Sequence, residues 1–198
     1  MQLLETIKCL DGKLNNLSFH QSRFNLARKQ FFPDAQPLSL AEIIEVPEFA
    51  QTGLFRCRVI YNANIKKIEF LPHQYRLVKS LKLLKADTID YAYKYENRQL
   101  LQALYEQRGD ADDILIVKNG SITDSFTANP VFYDGTHWWT PNTPLLPGTQ
   151  RAHLLEKGQI KVCRITTADL TKYQKVGLIN AMQDLENMPV VEINSILR

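Results

Sequence analysis

Three short turn signals divide much of this chain into hairpins. Asp11-Gly12, Asn119-Gly120 and Asp134-Gly135 each lie beside short apolar segments that read as strands. Asn-Gly and Asp-Gly pairs favour the left-handed backbone conformations that a tight hairpin requires. The sequence therefore predicts much antiparallel sheet, beginning with a strand at 2–9 and its return strand at 13–17.

Helical segments are interspersed with these strands. Ser18-x-x-Gln21 and Ser39-x-x-Glu42 match the capping-box pattern and predict two helix starts. The segment 76–85 has a cation at every third position, which we interpret as the solvated face of an amphipathic helix, with an anion-binding surface as the alternative.

Further elements suggest a chain of two halves. Residues 88–95 read as a strand, 98–108 as a helix, and another helix begins near residue 149 after a proline-rich loop. We predict an α+β fold of two small layered domains, with an N-terminal α+β domain at 1–84 and a larger C-terminal domain at 85–198.

Composition excludes several classes of protein. The net charge of +3 is too low for a nucleic-acid-binding chain, and no apolar run approaches the length that spans a bilayer. The four histidines are not spaced as metal ligands, and the three cysteines form no C-x-x-C pair, so no metal site is expected. The absence of a signal-peptide pattern and the unpaired cysteines favour a cytoplasmic location.

A few residues could carry chemistry, although each has an ordinary structural explanation. Lys94 lies late in the predicted strand and could face a cleft or simply the solvent. Asp124 could be a turn carboxylate, and Arg23 a solvated helix residue. Thr149 and Gln150 lie where a helix start could bind an anion or merely begin a helix.

Six motifs, taken in order, resemble those of the class IV aminotransferases, a family of pyridoxal-phosphate enzymes. The motifs are Glu5-Thr6-Ile7, His20-Gln21-Ser22-Arg23-Phe24, Lys94-Tyr95-Glu96-Asn97-Arg98, Thr123-Asp124 through Asn129-Pro130-Val131-Phe132, Leu146-Pro147-Gly148-Thr149-Gln150-Arg151, and Asn180-Ala181-Met182 before Pro189-Val190. Asp124 stands where the family has glutamate, and Gln150 stands where it has threonine. The resemblance implies two α/β layered domains of the D-amino-acid aminotransferase-like type, with the cofactor cleft between them.

The resemblance also implies roles for individual residues. Lys94 would be the Schiff-base lysine and the general acid and base, Arg23 would bind the cofactor phosphate, and Asp124 would pair with the pyridine nitrogen. The remaining cofactor contacts would come from Thr127, Ala128, Thr149, Gln150, Ala181 and Met182.

The activity implied is that of a 4-amino-4-deoxychorismate lyase, the branch that the late Asn-Ala-Met segment resembles most. Such an enzyme forms 4-aminobenzoate and pyruvate in folate biosynthesis. The alternatives are a class IV transaminase of the branched-chain or D-amino-acid type, or a non-catalytic relative of the fold. The resemblance further implies a homodimer that acts on a small amino substrate carrying a carboxylate.

Overall fold

The computed structural model describes residues 1–198, which form two compact units. The first contains Met1–Tyr75 and Tyr93–Asn97, and the second contains Arg76–Ala92 and Arg98–Arg198. The boundary expected between residues 84 and 85 falls instead inside a strand of the second unit. The reason is non-local, because that strand pairs with a strand more than thirty residues further along the chain.

The first unit is built on one antiparallel sheet with the strand order β2-β1-β3-β4. Its turn at Asp11-Gly12 has positive φ at both residues, as predicted. The elements are β1 (Leu3–Leu10), β2 (Lys13–Leu14), α1 (Leu17–Phe31), α2 (Leu40–Ile43), a 3₁₀ helix (Glu48–Ala50), β3 (Leu54–Tyr61) and β4 (Ile65–Pro72).

Helix α1 begins differently from the capping-box prediction. Asn16, in a left-handed conformation, precedes its first residue, and no side chain caps the helix. Gln21 is used elsewhere, because its amide donates to the carbonyl of Leu38 and accepts from the N–H of Leu40. Ser39 does precede α2 but makes no capping hydrogen bond from its side chain, so both predicted boxes are wrong.

The second unit contains two sheets. Strands β13-β5-β6-β7 form one, with β13, β5 and β6 parallel, and β10-β9-β8-β11-β12 form the other. The elements are β5 (Leu81–Lys85), α3 (Gln99–Tyr105), a 3₁₀ helix (Glu106–Arg108), β6 (Asp113–Lys118), β7 (Ser121–Ile122), β8 (Asn129–Tyr133), β9 (Trp138–Pro141), α4 (Thr149–Glu156), β10 (Lys161–Cys163), a 3₁₀ helix (Thr167–Lys172), β11 (Lys175–Ile179), β12 (Val190–Glu192), a 3₁₀ helix (Ile193–Ser195) and β13 (Ile196–Leu197).

One apolar core joins the two sheets of the second unit. Leu81, Leu115 and Ile122 contribute from the first sheet, and Phe132 and Val176 contribute from the second. This packing holds β7 and β8 in place, and the connection between them carries Asp124.

Two elements differ from the sequence-based expectation. The segment 76–85 is not a helix, since Leu81–Lys85 is a strand that pairs in parallel with β13 on one side and β6 on the other. Residues 88–95 are not a strand, and only Tyr95 makes a bridge, to Leu3. The alternating tyrosines reflect packing instead, because Tyr93 and Tyr95 cover the core of the first unit.

The α+β class is confirmed, since both units combine sheets with helices. The longest helix, α1, has 15 residues, and none of the helices is long and apolar enough to span a membrane.

Candidate active site

A charged cluster lies beneath α1 in the first unit, in which Glu5 and His20 are fully buried and the Arg23 side chain is 15% exposed. Strand alternation turns Glu5 toward the core between Leu3 and Ile7, where its carboxylate meets α1. His20 and Arg23 lie three residues apart on that helix, so they share the face that covers Glu5.

The carboxylate of Glu5 binds both partners at short distances. Arg23 donates from Nε to Oε1 at 2.9 Å and from Nη2 to Oε2 at 2.6 Å. The Nδ1 atom of His20 lies 2.6 Å from Oε2. The bidentate pair fixes the plane of the guanidinium, and so orients the arginine that the sequence assigns to a phosphate.

The electrostatics of this cluster favour an ionised Glu5. Burial acts to raise its pKa, but Arg23 and His20 outweigh that effect and lower the pKa to about 2. Burial lowers the pKa of His20; its bond to Glu5 opposes this, and the positive charges of Arg23 and Lys94 reinforce it. Lys94 is therefore close enough to His20 for its charge to be felt.

Replacing Glu5 with glutamine is expected to destabilise the protein by about 3–5 kcal/mol, because the substitution leaves the buried cation of Arg23 without its counter-charge. The stabilisation from Glu5 is complete above its unfolded pKa near 4.5 and is lost as the pH falls towards 2. Denaturant unfolding should show about 3 kcal/mol of acid-dependent stability in wild type that the variant lacks. The exposed Glu42→Gln is the control, and equal losses in the two variants would contradict the prediction.

Lys94 is held by backbone pairing with the start of β1. Its carbonyl accepts from the N–H of Leu4 at 2.9 Å, and the neighbouring Tyr95 bridges Leu3. The rings of Tyr93 and Phe31 pack edge to face at 4.7 Å, which anchors the segment on α1. One backbone hydrogen bond, one bridge and one ring contact thus fix the segment that carries Lys94.

Asp124 is the buried carboxylate of the second unit. It follows β7, and only 7% of its surface is exposed. Asn129 donates from Nδ2 to one carboxylate oxygen at 2.5 Å, and the N–H of Leu145 donates to the other. Asn129 also orients the following loop, since it donates to the carbonyl of Leu146 and accepts from the N–H of Gly148.

Gly148 allows this close approach. A Cβ atom there would lie 2.1 Å from Oδ1 of Asn129, so any larger residue would push the loop away. The glycine thus couples the start of α4 to the amide that holds Asp124.

The burial of Asp124 has an electrostatic consequence. Desolvation raises its pKa to about 7, although the backbone N–H groups of Leu145 and Leu146 and the charge of Arg151 act to lower it. The groups around Asp124 do not offset the cost of burying its charged form. A cationic partner, such as a protonated heterocyclic nitrogen, would favour its ionised form.

The stability of the apoprotein should therefore fall as the pH rises from about 4 to 7. A raised native pKa means that the folded state binds the proton of Asp124 more tightly, so ionisation costs stability, by up to about 4 kcal/mol. We expect Asp124→Asn to flatten this dependence in urea unfolding measured across that pH range. The exposed Asp110→Asn should keep the wild-type slope, and parallel curves for wild type and Asp124→Asn would contradict the prediction.

The helix start to which the family resemblance assigns phosphate contacts lies at the beginning of α4. The helix begins at Thr149 after Gly148, and Thr149 and Gln150 are both buried. N–H groups in the first turn of a helix are not consumed by its own ladder, so they suit an anion.

Two other predicted contacts are changed by local hydrogen bonds. The N–H of Met182 donates to Oδ1 of Asn180 at 2.9 Å, so it already has a partner within its own turn. The N–H of Ala128 likewise donates to the hydroxyl of Ser125, whereas Thr127 beside it is exposed. Sequence reasoning missed these bonds because they depend on turn geometry.

Sequence reasoning also assigned no role to the pair Glu5–His20. Both residues lie in recognised motifs, and the signal that could have identified them is a carboxylate at a core position of an apolar strand. The structure brings no group of three His, Cys, Asp or Glu residues together as metal ligands.

The groups present suit a phosphorylated pyridine cofactor. In the first unit, the amine of Lys94 and the guanidinium of Arg23 have the chemistry to bind an aldehyde and a phosphate. In the second unit, the buried carboxylate of Asp124 has a raised pKa, so a cationic partner would favour its ionised form.

The chain belongs to the class IV aminotransferase family, whose model matches residues 2–193. A protein from Haemophilus influenzae with no assigned activity is 36% identical over 185 residues, which cover 92% of this chain and 98% of that relative. A solved structure from Haemophilus somnus 129pt, provisionally named 4-amino-4-deoxychorismate lyase, is 38% identical with a TM-score of 0.89 and covers 93% of this chain and 97% of that one. The branched-chain amino acid aminotransferase of Escherichia coli shares the fold, at 17% identity with a TM-score of 0.73, over 98% of this chain and 76% of that one. Family membership confirms a pyridoxal-phosphate-dependent enzyme of the lyase or aminotransferase type.

Proposed function

We propose that the protein is a 4-amino-4-deoxychorismate lyase that forms 4-aminobenzoate and pyruvate. The observation that carries the proposal is the likeness to the Haemophilus somnus protein, whose provisional name is that activity and which matches this chain over nearly its whole length. The motifs of Lys94, Arg23 and Asp124 are consistent with it.

When bound, the cofactor would supply an electron sink for negative charge at the amine-bearing carbon. We propose that Lys94 holds it covalently and that Arg23, Thr149, Gln150 and Ala181 donate to its phosphate. Asp124 would pair with the pyridine nitrogen, which is the positive charge that the buried carboxylate lacks. Contacts from Thr127, Ala128 and Met182 belong to the same proposal, although the N–H groups of Ala128 and Met182 already have partners.

Lys94 would also move the protons of the reaction. Once the substrate amine has displaced Lys94 from the cofactor, the neutral amine of Lys94 would remove the proton from the amine-bearing ring carbon of the substrate, as a general base. Departure of the enolpyruvyl group then makes the ring aromatic, and a returned proton converts that group into pyruvate.

The test supplies the cofactor-loaded protein with 4-amino-4-deoxychorismate and, separately, with amino-acid and keto-acid pairs. Formation of 4-aminobenzoate and pyruvate in equal amounts is expected. Exchange of the amine between amino and keto acids, without 4-aminobenzoate, would establish the transaminase alternative and refute the lyase. Turnover of neither, with the cofactor bound, would refute both.

We further propose a cytoplasmic homodimer within folate biosynthesis, as the family resemblance implies. Light scattering on the protein as it elutes from gel filtration tests the dimer. Growth of a 4-aminobenzoate-requiring strain that expresses the chain tests the pathway.

A further inference from the structure

The sheet of the first unit has a second face, opposite the one that α1 covers. Because side chains alternate along a strand, Glu5 and Ile7 face the core, and Thr6 and Lys8 lie on the other face. The register places Arg56 of β3 directly opposite Lys8.

A histidine extends this cationic pair. Arg56 pairs with Leu71 of β4, and His73 lies two residues beyond Leu71, so it shares the same face. The N–H of His73 donates to the carbonyl of Leu54 at 3.0 Å, which fixes its position at the end of the strand. Lys8, Arg56 and His73 therefore form a cluster of two cations and a histidine, here called the triad.

The triad has no acidic partner in the protein. The neighbouring Arg58 and Lys67 both pair with Glu69, whereas neither Lys8 nor Arg56 forms an ion pair. The Nε atom of Arg56 and the Nε2 atom of His73 are buried and have no hydrogen-bond partner.

The field within the triad is positive. Burial lowers the pKa of His73, and the charges of Arg56 and Lys8 lower it further. Like charges directly opposite each other across two strands are destabilising, and unpaired buried polar atoms add to that cost. An anion placed among the three side chains would remove both costs.

Lys8 of the triad lies further along β1 than Leu4, the residue that pairs with Lys94, the proposed cofactor lysine. Lys94 pairs through its backbone with Leu4, beside the antiparallel Leu3–Tyr95 bridge. Residues that lie opposite each other in an antiparallel pair share a face, so Lys94 lies on the face of Leu4, Thr6 and Lys8. Lys8 is four residues from Leu4, or about 13 Å along the strand. The long side chains at both ends can shorten that gap.

We propose that Lys8, Arg56 and His73 form a subsite that binds a carboxylate of the substrate, distal to the amine that reacts at Lys94. The identity of that substrate rests on the proposed lyase function. Arg56 acts here as a binding and specificity residue and takes no part in proton transfer.

The test measures binding without turnover. Chorismate has two carboxylates but no amine, so its calorimetric titration into the cofactor-loaded protein reports carboxylate recognition alone, and benzoate is the singly charged comparison. We expect Arg56→Gln and Lys8→Gln to weaken chorismate binding by about tenfold or more, the loss of one charge-assisted hydrogen bond. Lys29→Gln, an exposed lysine on α1, should bind as wild type does.

Turnover and stability give two further measurements. Arg56→Gln should raise the KM for 4-amino-4-deoxychorismate by a similar factor with little change in kcat. Its Tm should not fall, because the substitution relieves the repulsion from Lys8. A fall in Tm would direct the binding test to Lys8→Gln, which relieves the same repulsion.

The outcomes separate this proposal from the lyase assignment. Wild-type chorismate affinity in both variants, equal weakening by Lys29→Gln, or no binding by wild type at millimolar concentration would overturn the subsite. Weakened chorismate binding in a protein that forms no 4-aminobenzoate would support the subsite and refute the lyase. Formation of 4-aminobenzoate with an unchanged KM in Arg56→Gln would support the lyase and overturn the subsite.

Discussion

Replacing Lys94 with alanine is expected to reduce kcat by at least about 10³-fold, because one amine both holds the cofactor and moves the protons. The substitution leaves the backbone pairing of residue 94 with Leu4 intact, so the fold should survive. Steady-state kinetics measure the loss. Borohydride reduction of the cofactor-loaded protein, followed by peptide mapping, should place the label on Lys94 in wild type and find none there in the variant.

The matched control is Lys29→Ala, an exposed lysine of the same unit, which should retain wild-type activity and labelling. A Lys94→Ala variant that keeps its activity, or a label on a different lysine in wild type, would remove Lys94 from the proposed mechanism.

Replacing Asp124 with asparagine is expected to lower kcat/KM by about 10²–10³-fold, the scale seen when one preorganised electrostatic contact is removed. The carboxylate is the only acidic group placed to favour a cationic pyridine nitrogen in the proposal. An amide would also turn an NH₂ group towards a donor, either Asn129 Nδ2 or the Leu145 N–H. Kinetics and the amount of cofactor retained after gel filtration measure both effects.

Asp124→Glu keeps the charge and provides the conservative comparison, so it should retain far more activity than Asp124→Asn. Equal activity in the asparagine variant and wild type would show that the charge of Asp124 is not used. Equal loss in both variants would indicate a requirement for shape instead.

Local signals in the sequence were sufficient for the turns and for several helices. Asn119-Gly120 forms a two-residue hairpin with positive φ at both residues, a conformation that asparagine and glycine tolerate. Helix α4 begins at Thr149, where the proline-rich loop ends. These features depend on neighbours within a few residues, and the sequence displays them directly.

Where pairing with distant residues decides the structure, predictions from local sequence patterns were wrong. The cations of 76–85 recur at a helical spacing, yet Leu81–Lys85 is a strand because β6 offers it a parallel partner in a buried core. The tyrosines before Lys94 alternate as in a strand, yet they pack on Phe31 and the core of the first unit. Packing against distant residues overrides local propensity in both places.

The sequence by itself determined the family, the α+β class and the residues that the proposed mechanism uses. These depend on the order of the motifs and on residue type, which are properties of the sequence alone. Only the tertiary structure decided how those residues are held. It buried Glu5 against His20 and Arg23, and it placed donors from Asn129 and Leu145 on the carboxylate of Asp124. It also left Nε of Arg56 and Nε2 of His73 without hydrogen-bond partners. Burial, hydrogen bonding and pKa depend on groups distant in sequence that meet only when the chain folds.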